Sequence, residues 1–213
     1  YDTPQKEPVA IHTELGPCPW NSDHRLAMIG LKAKEIPEEQ LPPSNLVFLI
    51  DVSGSMNQSG KLPLVKKAMK MLTAELSKND RLSIIVYAGS NRVVLPPTPG
   101  DKSQEIISAI DQLKSGGSTH GSAAIEKAYE LAHQNYFSGG NNRIILASDG
   151  DFNVGVTSRD ELTRLIEKER ENGVFLTVLG FGTGNYKDDT MEMLADKGNG
   201  NYSYIDSLLE ANK

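Results

Sequence analysis

The sequence predicts an α/β fold: a doubly wound, mostly parallel six-stranded sheet with one antiparallel edge strand and helices on both faces. Three observations carry this. From Asn45 onward, short apolar runs alternate with longer amphipathic ones. Three of the runs (VFLI, IILA and FLTVLG) are continuously apolar, as strands covered on both faces must be. The stretches between them place apolar residues three and four apart, the period of a helix with one buried face.

Taken in order, the predicted strands are Leu46 to Ile50, Leu82 to Tyr87, Val93 to Leu95, Arg143 to Ala147, Val174 to Leu179 and Tyr202 to Ile205. Leu62, Val65, Met69, Leu72 and Leu76 form the stripe of a first helix. Ile106, Ile110 and Leu113 mark a second, and Ile125, Ala128, Tyr129 and Ala132 a third. A fourth opens with Ser158-x-x-Glu161, a capping box, and continues through Leu162, Leu165 and Ile166. Met191, Leu194 and Ala195 mark a short fifth. Alternating strand and helix gives a parallel sheet with right-handed crossovers. The turn AGSNR is too short for a crossover, so Val93 to Leu95 is an antiparallel partner at the sheet edge.

Residues 1–44 form a separate Pro-rich β extension ahead of a domain at 45–213. Pro4, Pro8, Pro17, Pro19, Pro37, Pro42 and Pro43, seven of the chain's eleven prolines, exclude a mostly helical segment. Within it, Arg25 to Lys34 reads as a strand, with Leu26, Met28 and Gly30 on one face and Ala27, Ile29, Leu31 and Ala33 on the other. A lone strand leaves its ladder groups unpaired, so it must join the main sheet or a second short strand, and some apolar surface is expected here. A soft metal site of His12, Cys18 and His24 is outweighed by simple packing of Cys18 and Trp20.

Composition excludes several classes. A net charge of −6 with no basic cluster argues against a nucleic-acid surface. The apolar runs are too short for a transmembrane segment. One cysteine, Cys18, rules out an internal disulfide. The chain shows no signal peptide at Tyr1, which suits a mature exported fragment and a cytosolic start equally.

Ligands in open α/β sheets bind beyond the carboxyl ends of the strands. Four loops there are rich in glycine, hydroxyl and carboxylate: Asp51-Val52-Ser53-Gly54-Ser55, Gly116-Gly117-Ser118-Thr119-His120-Gly121, Ser148-Asp149-Gly150-Asp151 and the GFGTGN loop from Gly180. Asp and Ser/Thr oxygens are hard ligands suited to Mg²⁺, Ca²⁺ or Mn²⁺ and not to zinc. Two-residue spacing in an extended turn points Asp51, Ser53 and Ser55 to one side, and Thr119 and Asp149 can reach the same point. Helix capping is the competing reading of Asp51 and Ser53, but the helix near Lys61 begins about ten residues later. Enzyme readings fit poorly. A phosphotransfer aspartate site wants an Asp where Ser53 stands, GxGxxG wants a Gly at Asn185, and no GxSxG elbow, P-loop lysine or suitably placed general base occurs.

The DxSxS turn, the Thr in a Gly-rich loop and the SDG turn resemble the von Willebrand factor type A domain and its metal-ion-dependent adhesion site. The resemblance spans Asn45 to about Ser207 and implies a Rossmann-like fold. It implies one divalent cation, Mg²⁺ or Ca²⁺ with Mn²⁺ as a third candidate, held by Asp51, Ser53, Ser55, Thr119 and Asp149. It also implies a partner rim of Met56, Ser118, His120, Gly150, Asp151 and Gly182. The partner would be a protein offering an Asp or Glu carboxylate, and the chain a binding module and not an enzyme. The stretch from His12 into the DVSGSM turn further resembles a bacterial subfamily of exported proteins, often lipoproteins. That implies an extracytoplasmic place, in the cell envelope or secreted. The alternatives are a subunit working with a motor ATPase in complex assembly or metal insertion and, behind it, a metal-dependent hydrolase.

Overall fold

The structure is a computed structural model that describes residues 2–37, 40–117, 122–150, 159–182 and 188–212. The chain divides into two compact units, Tyr1–Leu41 and Pro42–Lys213.

The larger unit carries the six-stranded sheet in the order β5-β4-β3-β6-β7-β8. Its strands are β3 (Ser44–Asp51), β4 (Arg81–Tyr87), β5 (Asn91–Pro99), β6 (Asn141–Ser148), β7 (Val174–Phe181) and β8 (Tyr202–Ile205). All neighbours run parallel except β4 and β5, whose antiparallel pairing follows from the short turn between them. The helices are α1 (Leu62–Glu75), α2 (Ser103–Asp111), α3 (Ser122–Gln134), α4 (Arg159–Glu171) and α5 (Asp188–Lys197). A short α6 (Leu208–Ala211) and a 3-10 turn at Gly54–Asn57 were not expected from the sequence. Both are single turns, too short for an apolar period to register.

The central strand β3 explains the two-layered core. Successive side chains of a strand point to opposite faces. Leu46, Phe48 and Ile50 accordingly enter one apolar cluster with Val65 and Met69 of α1 and Ile106 and Ile110 of α2. Val47 and Leu49 enter the other with Ile125 and Tyr129 of α3, Leu162 and Ile166 of α4 and Met191 and Leu194 of α5. Each such Leu, Ile or Val contributes about 1.5–3 kcal/mol by leaving water. The helical stripes read from the sequence are therefore the buried ones, although Leu76 stands just past the end of α1. The capping residue Ser158 lies outside the described residues.

The smaller unit pairs β1 (Val9–Pro17) with β2 (Arg25–Ala33) as an antiparallel two-stranded sheet. Of the two expected pairings, the second short strand is the one found, and β1 supplies it. Pro8 and Pro17 stand immediately before and at the end of it, so these prolines bound the strand instead of preventing it. Register sets Ile11 opposite Leu31, Thr13 opposite Ile29 and Leu15 opposite Ala27, so these side chains share one face. His12, Glu14, Leu26, Met28, Gly30 and Lys32 lie on the other. The apolar face is the exposed one: Ile11 is 68% exposed, Leu15 74%, Ile29 69% and Leu31 70%. Cys18 is buried, but Trp20 is 76% exposed, so the expected packing holds for the cysteine alone. Among the described residues, no helix is long and apolar enough to cross a membrane.

An exposed apolar ribbon face favours association. Replacing Ile11 and Ile29 by threonine keeps β-branched side chains on the strands while removing part of that face. The double variant is expected to bind less hydrophobic dye and to self-associate less in light scattering, with an unchanged melting temperature.

Candidate functional site

The strand order reverses around β3 and β6, and the crevice beyond their carboxyl ends is where such sheets accept ligands. β3 ends there in Asp51, which pairs with Tyr87 in the sheet register, and Val52 N–H donates to the Tyr87 carbonyl at 3.0 Å. β6 ends in Ser148, so Asp149 and Gly150 begin the neighbouring loop.

Asp51 is fully buried, with 0% exposure. Its Oδ1 accepts from Ser53 N–H at 2.8 Å and its Oδ2 from Ser148 Oγ–H at 3.4 Å. Burial pushes its carboxyl above the usual range, the charge of Asp149 adds to that, and the Ser53 and Ser148 hydrogen bonds oppose it. The charge of Asp149 thus reaches Asp51 as a repulsion. Ser53 and Ser55 hydroxyl oxygens lie 2.9 Å apart. Ser53 occupies the N-cap position of the Gly54–Asn57 turn, yet its side chain makes no capping hydrogen bond there. The N-cap of α1 is Lys61, with no side-chain cap hydrogen bond, so neither Asp51 nor Ser53 caps that helix.

The turn is fastened to the loop ahead of α3. Gly54 N–H donates to the Gly117 carbonyl at 3.1 Å, and Gly116 N–H to the Val52 carbonyl at 2.7 Å. Gly117 has φ of +87°, a conformation that glycine adopts without strain. On the other side, Lys61 Nζ donates to Asp149 Oδ2 at 2.7 Å, in an ion pair whose side chains are 14% and 2% exposed.

The structure therefore brings Asp51, Ser53, Ser55 and Asp149 to one end of the sheet. Thr119, Ser118, His120 and Asp151 lie outside the described residues. Gly150 and Gly182 stand in the expected loops, at the ends of β6 and β7. Met56 does not stand on a rim: it is wholly buried, in the core cluster beneath the turn. Asp51 and Ser53 are likewise buried, whereas Gly54 and Ser55 of the same turn are exposed. Sequence reasoning missed Lys61 and Ser148. The available signals were a lysine just ahead of the α1 stripe and a hydroxyl just ahead of Asp149.

The donors present suit a divalent ion of hard character. Two mutually repelling carboxylates, one fully desolvated, gain from a cation between them, and the hydroxyls supply neutral oxygens. Among the described residues no group of three or more His, Cys, Asp or Glu could hold a metal ion, so hydroxyl oxygens would have to share in holding one. Beside the turn, Asn57, Leu62, Pro63, Lys66, Lys114 and Ser115 line a surface hollow of about 390 Å³.

Residues 45–212 match the model of the von Willebrand factor type A domain. The chain belongs to this family. It is 47% identical over 206 residues to the protein YfbK of Escherichia coli (strain K12), covering 97% of this chain and 36% of YfbK. This chain thus spans only about a third of that relative. Among solved structures it resembles the conserved hypothetical protein BatB from Bacteroides thetaiotaomicron, with a TM-score of 0.64, 20% identity and coverage of 79% and 94% of the two chains. It resembles the manganese-loaded TRAP protein of Plasmodium vivax equally, with a TM-score of 0.64, 20% identity and coverage of 80% and 71%. These two likenesses show the fold. Domains of the family are protein-interaction modules, and these matches indicate no enzymatic family.

A buried carboxylate that repels a second one holds its charge at a cost in stability. Asp51→Asn keeps acceptor and donor atoms near Ser53 and Ser148 while removing that charge. The metal-free variant is expected to melt higher, by on the order of a few degrees, as scanning calorimetry in EDTA will show.

Proposed function

We propose that this type A domain is a metal-dependent protein-binding module. One divalent ion, Mg²⁺ or Ca²⁺, is held by Ser53, Ser55 and Thr119, with Asp51 and Asp149 acting directly or through water. The observation that carries the reading is Asp51: a fully buried carboxylate closing an apolar strand, with Ser53, Ser55 and Asp149 gathered beside it. That the TRAP neighbour is a manganese-loaded protein agrees with a divalent ion at this end of the fold.

When bound, the ion supplies an open electrophilic position that accepts a carboxylate from another protein. The chain's own residues do the rest. Asp51 and Asp149 supply no more than two negative charges, which a divalent ion balances, and the hydroxyl ligands are neutral, so coordination positions stay open to a further oxygen donor. Gly150 and Gly182 carry no side chain to block approach. The hollow lined by Lys66 and Lys114 offers room and positive charge for residues flanking the partner's carboxylate. A chain with net charge −6 has little general attraction for an acidic partner, so the anchor must be local. The resemblance of the N-terminal stretch to exported proteins supports a place for this module outside the cytoplasm, which fractionation of native cells can test.

Asp51→Ala is expected to abolish Mg²⁺ and Ca²⁺ binding in calorimetry, and unchanged affinity would remove the assignment. A partner captured from native extract should be released by EDTA. Changing its key carboxylate to the amide should weaken binding by roughly 1–3 kcal/mol, the scale of a lost charged contact. Thr119→Ala should weaken partner binding more than metal binding, measured by calorimetry on each. A partner that binds equally well in EDTA would place the real interface elsewhere on the domain.

A further inference from the structure

We infer that Lys61 is a resident counter-cation of the metal site and sets its affinity: its ammonium competes with the divalent ion for Asp149. The inference rests on the metal-site reading above. No part of the DxSxS, Thr and Asp pattern includes this lysine.

Its placement is built from three loops. Lys61 stands between the turn that follows β3 and the start of α1, where Leu64 N–H and Val65 N–H both donate to its carbonyl at 2.9 Å. This ties its backbone to the first turn of the helix. Its ammonium reaches the loop after β6, donating to Asp149 Oδ2 at 2.7 Å. Its methylenes lie on the loop after β7, against Gly182. There φ is +117°, and an added Cβ would come within 2.9 Å of Lys61 Cε and 3.3 Å of Cγ. The lysine stem therefore occupies the space that a side chain at this position would need. With side-chain exposures of 14% and 2%, the pair is poorly screened by solvent, unlike an ordinary surface ion pair.

The charge count gives the consequence. Asp51 and Asp149 together carry −2 when ionised, and Asp51 feels Asp149 as a repelling charge. Lys61 brings the site to −1 before any metal arrives. With a divalent ion the total becomes +1, so the domain holds its ion less tightly than two bare carboxylates would. One further carboxylate then brings the site to neutrality. Without Lys61 the occupied site would already be neutral, and a partner's carboxylate would drive it negative. Lys61 thus trades metal affinity for attraction toward an anionic group.

The test is Mg²⁺ titration by calorimetry of the unsubstituted protein and of Lys61→Gln, with folding checked by circular dichroism. Glutamine retains an N–H donor toward Asp149 and removes only the charge. Lys61→Met serves the same purpose if the glutamine variant does not fold. Mg²⁺ should bind the variant about five-fold tighter or more, as expected for removing one nearby cation from a partly enclosed site. The metal-free variant should melt lower, since the carboxylates lose their resident cation, and saturating Mg²⁺ should raise its melting temperature by more than it raises that of the unsubstituted protein. A folded variant with equal or weaker Mg²⁺ affinity would overturn the inference and make Lys61 a residue that merely orients Asp149. Absence of Mg²⁺ and Ca²⁺ binding by the unsubstituted protein would instead bring down the metal-site reading, and this inference with it.

Discussion

The burial of one charge, at Asp51, organises the functional end of this domain. β3 is apolar on both faces because it lies in the middle of the sheet between two layers of helices, and the same position removes its last residue from water. A carboxylate there raises the free energy of the fold unless other groups answer it. The neighbouring groups can be understood as those answers. Ser53 N–H and the Ser148 hydroxyl supply hydrogen bonds, while Asp149 adds repulsion that only a cation relieves. The destabilising buried charge and the proposed metal ligands are the same atoms, as expected where a fold preorganises a site for a ligand.

Four loops meet around Asp51 through direct contacts. The turn after β3 is tied to the loop ahead of α3 through Gly54 and Gly117, and Met56 fixes it from below by filling the core. Lys61 joins the start of α1 to the loop after β6, and Gly182 of the loop after β7 lies against the lysine stem.

The small unit obeys a different constraint. A two-stranded ribbon has too little area to bury its own side chains, so register alone decides which face is apolar. Here register gathers Ile11, Leu15, Ile29 and Leu31 onto one face, and that face is the more exposed of the two. Such a surface gains free energy whenever something covers it.

The sequence alone determined the sheet, its antiparallel edge and the five main helices, because those elements are specified by local period: continuous apolar runs for covered strands, steps of three and four for helices. It also singled out Asp51, Ser53, Ser55 and Asp149, which the fold gathers at one end of the sheet, because oxygen side chains stand out where apolar strands end. Prolines concealed β1, because a proline at a strand boundary and one that forbids a strand look alike until the partner strand is known. Met56 could be assigned to a rim because, at the level of sequence, it is simply the next residue after a loop motif; the 3-10 turn directs it into the core. Lys61 was invisible for the same kind of reason. It lies 88 residues from Asp149 in sequence, and no local pattern encodes that distance. Ion pairs and buried hydrogen bonds across loops depend on where strands end in space, which the packing of helices on both faces of the sheet decides.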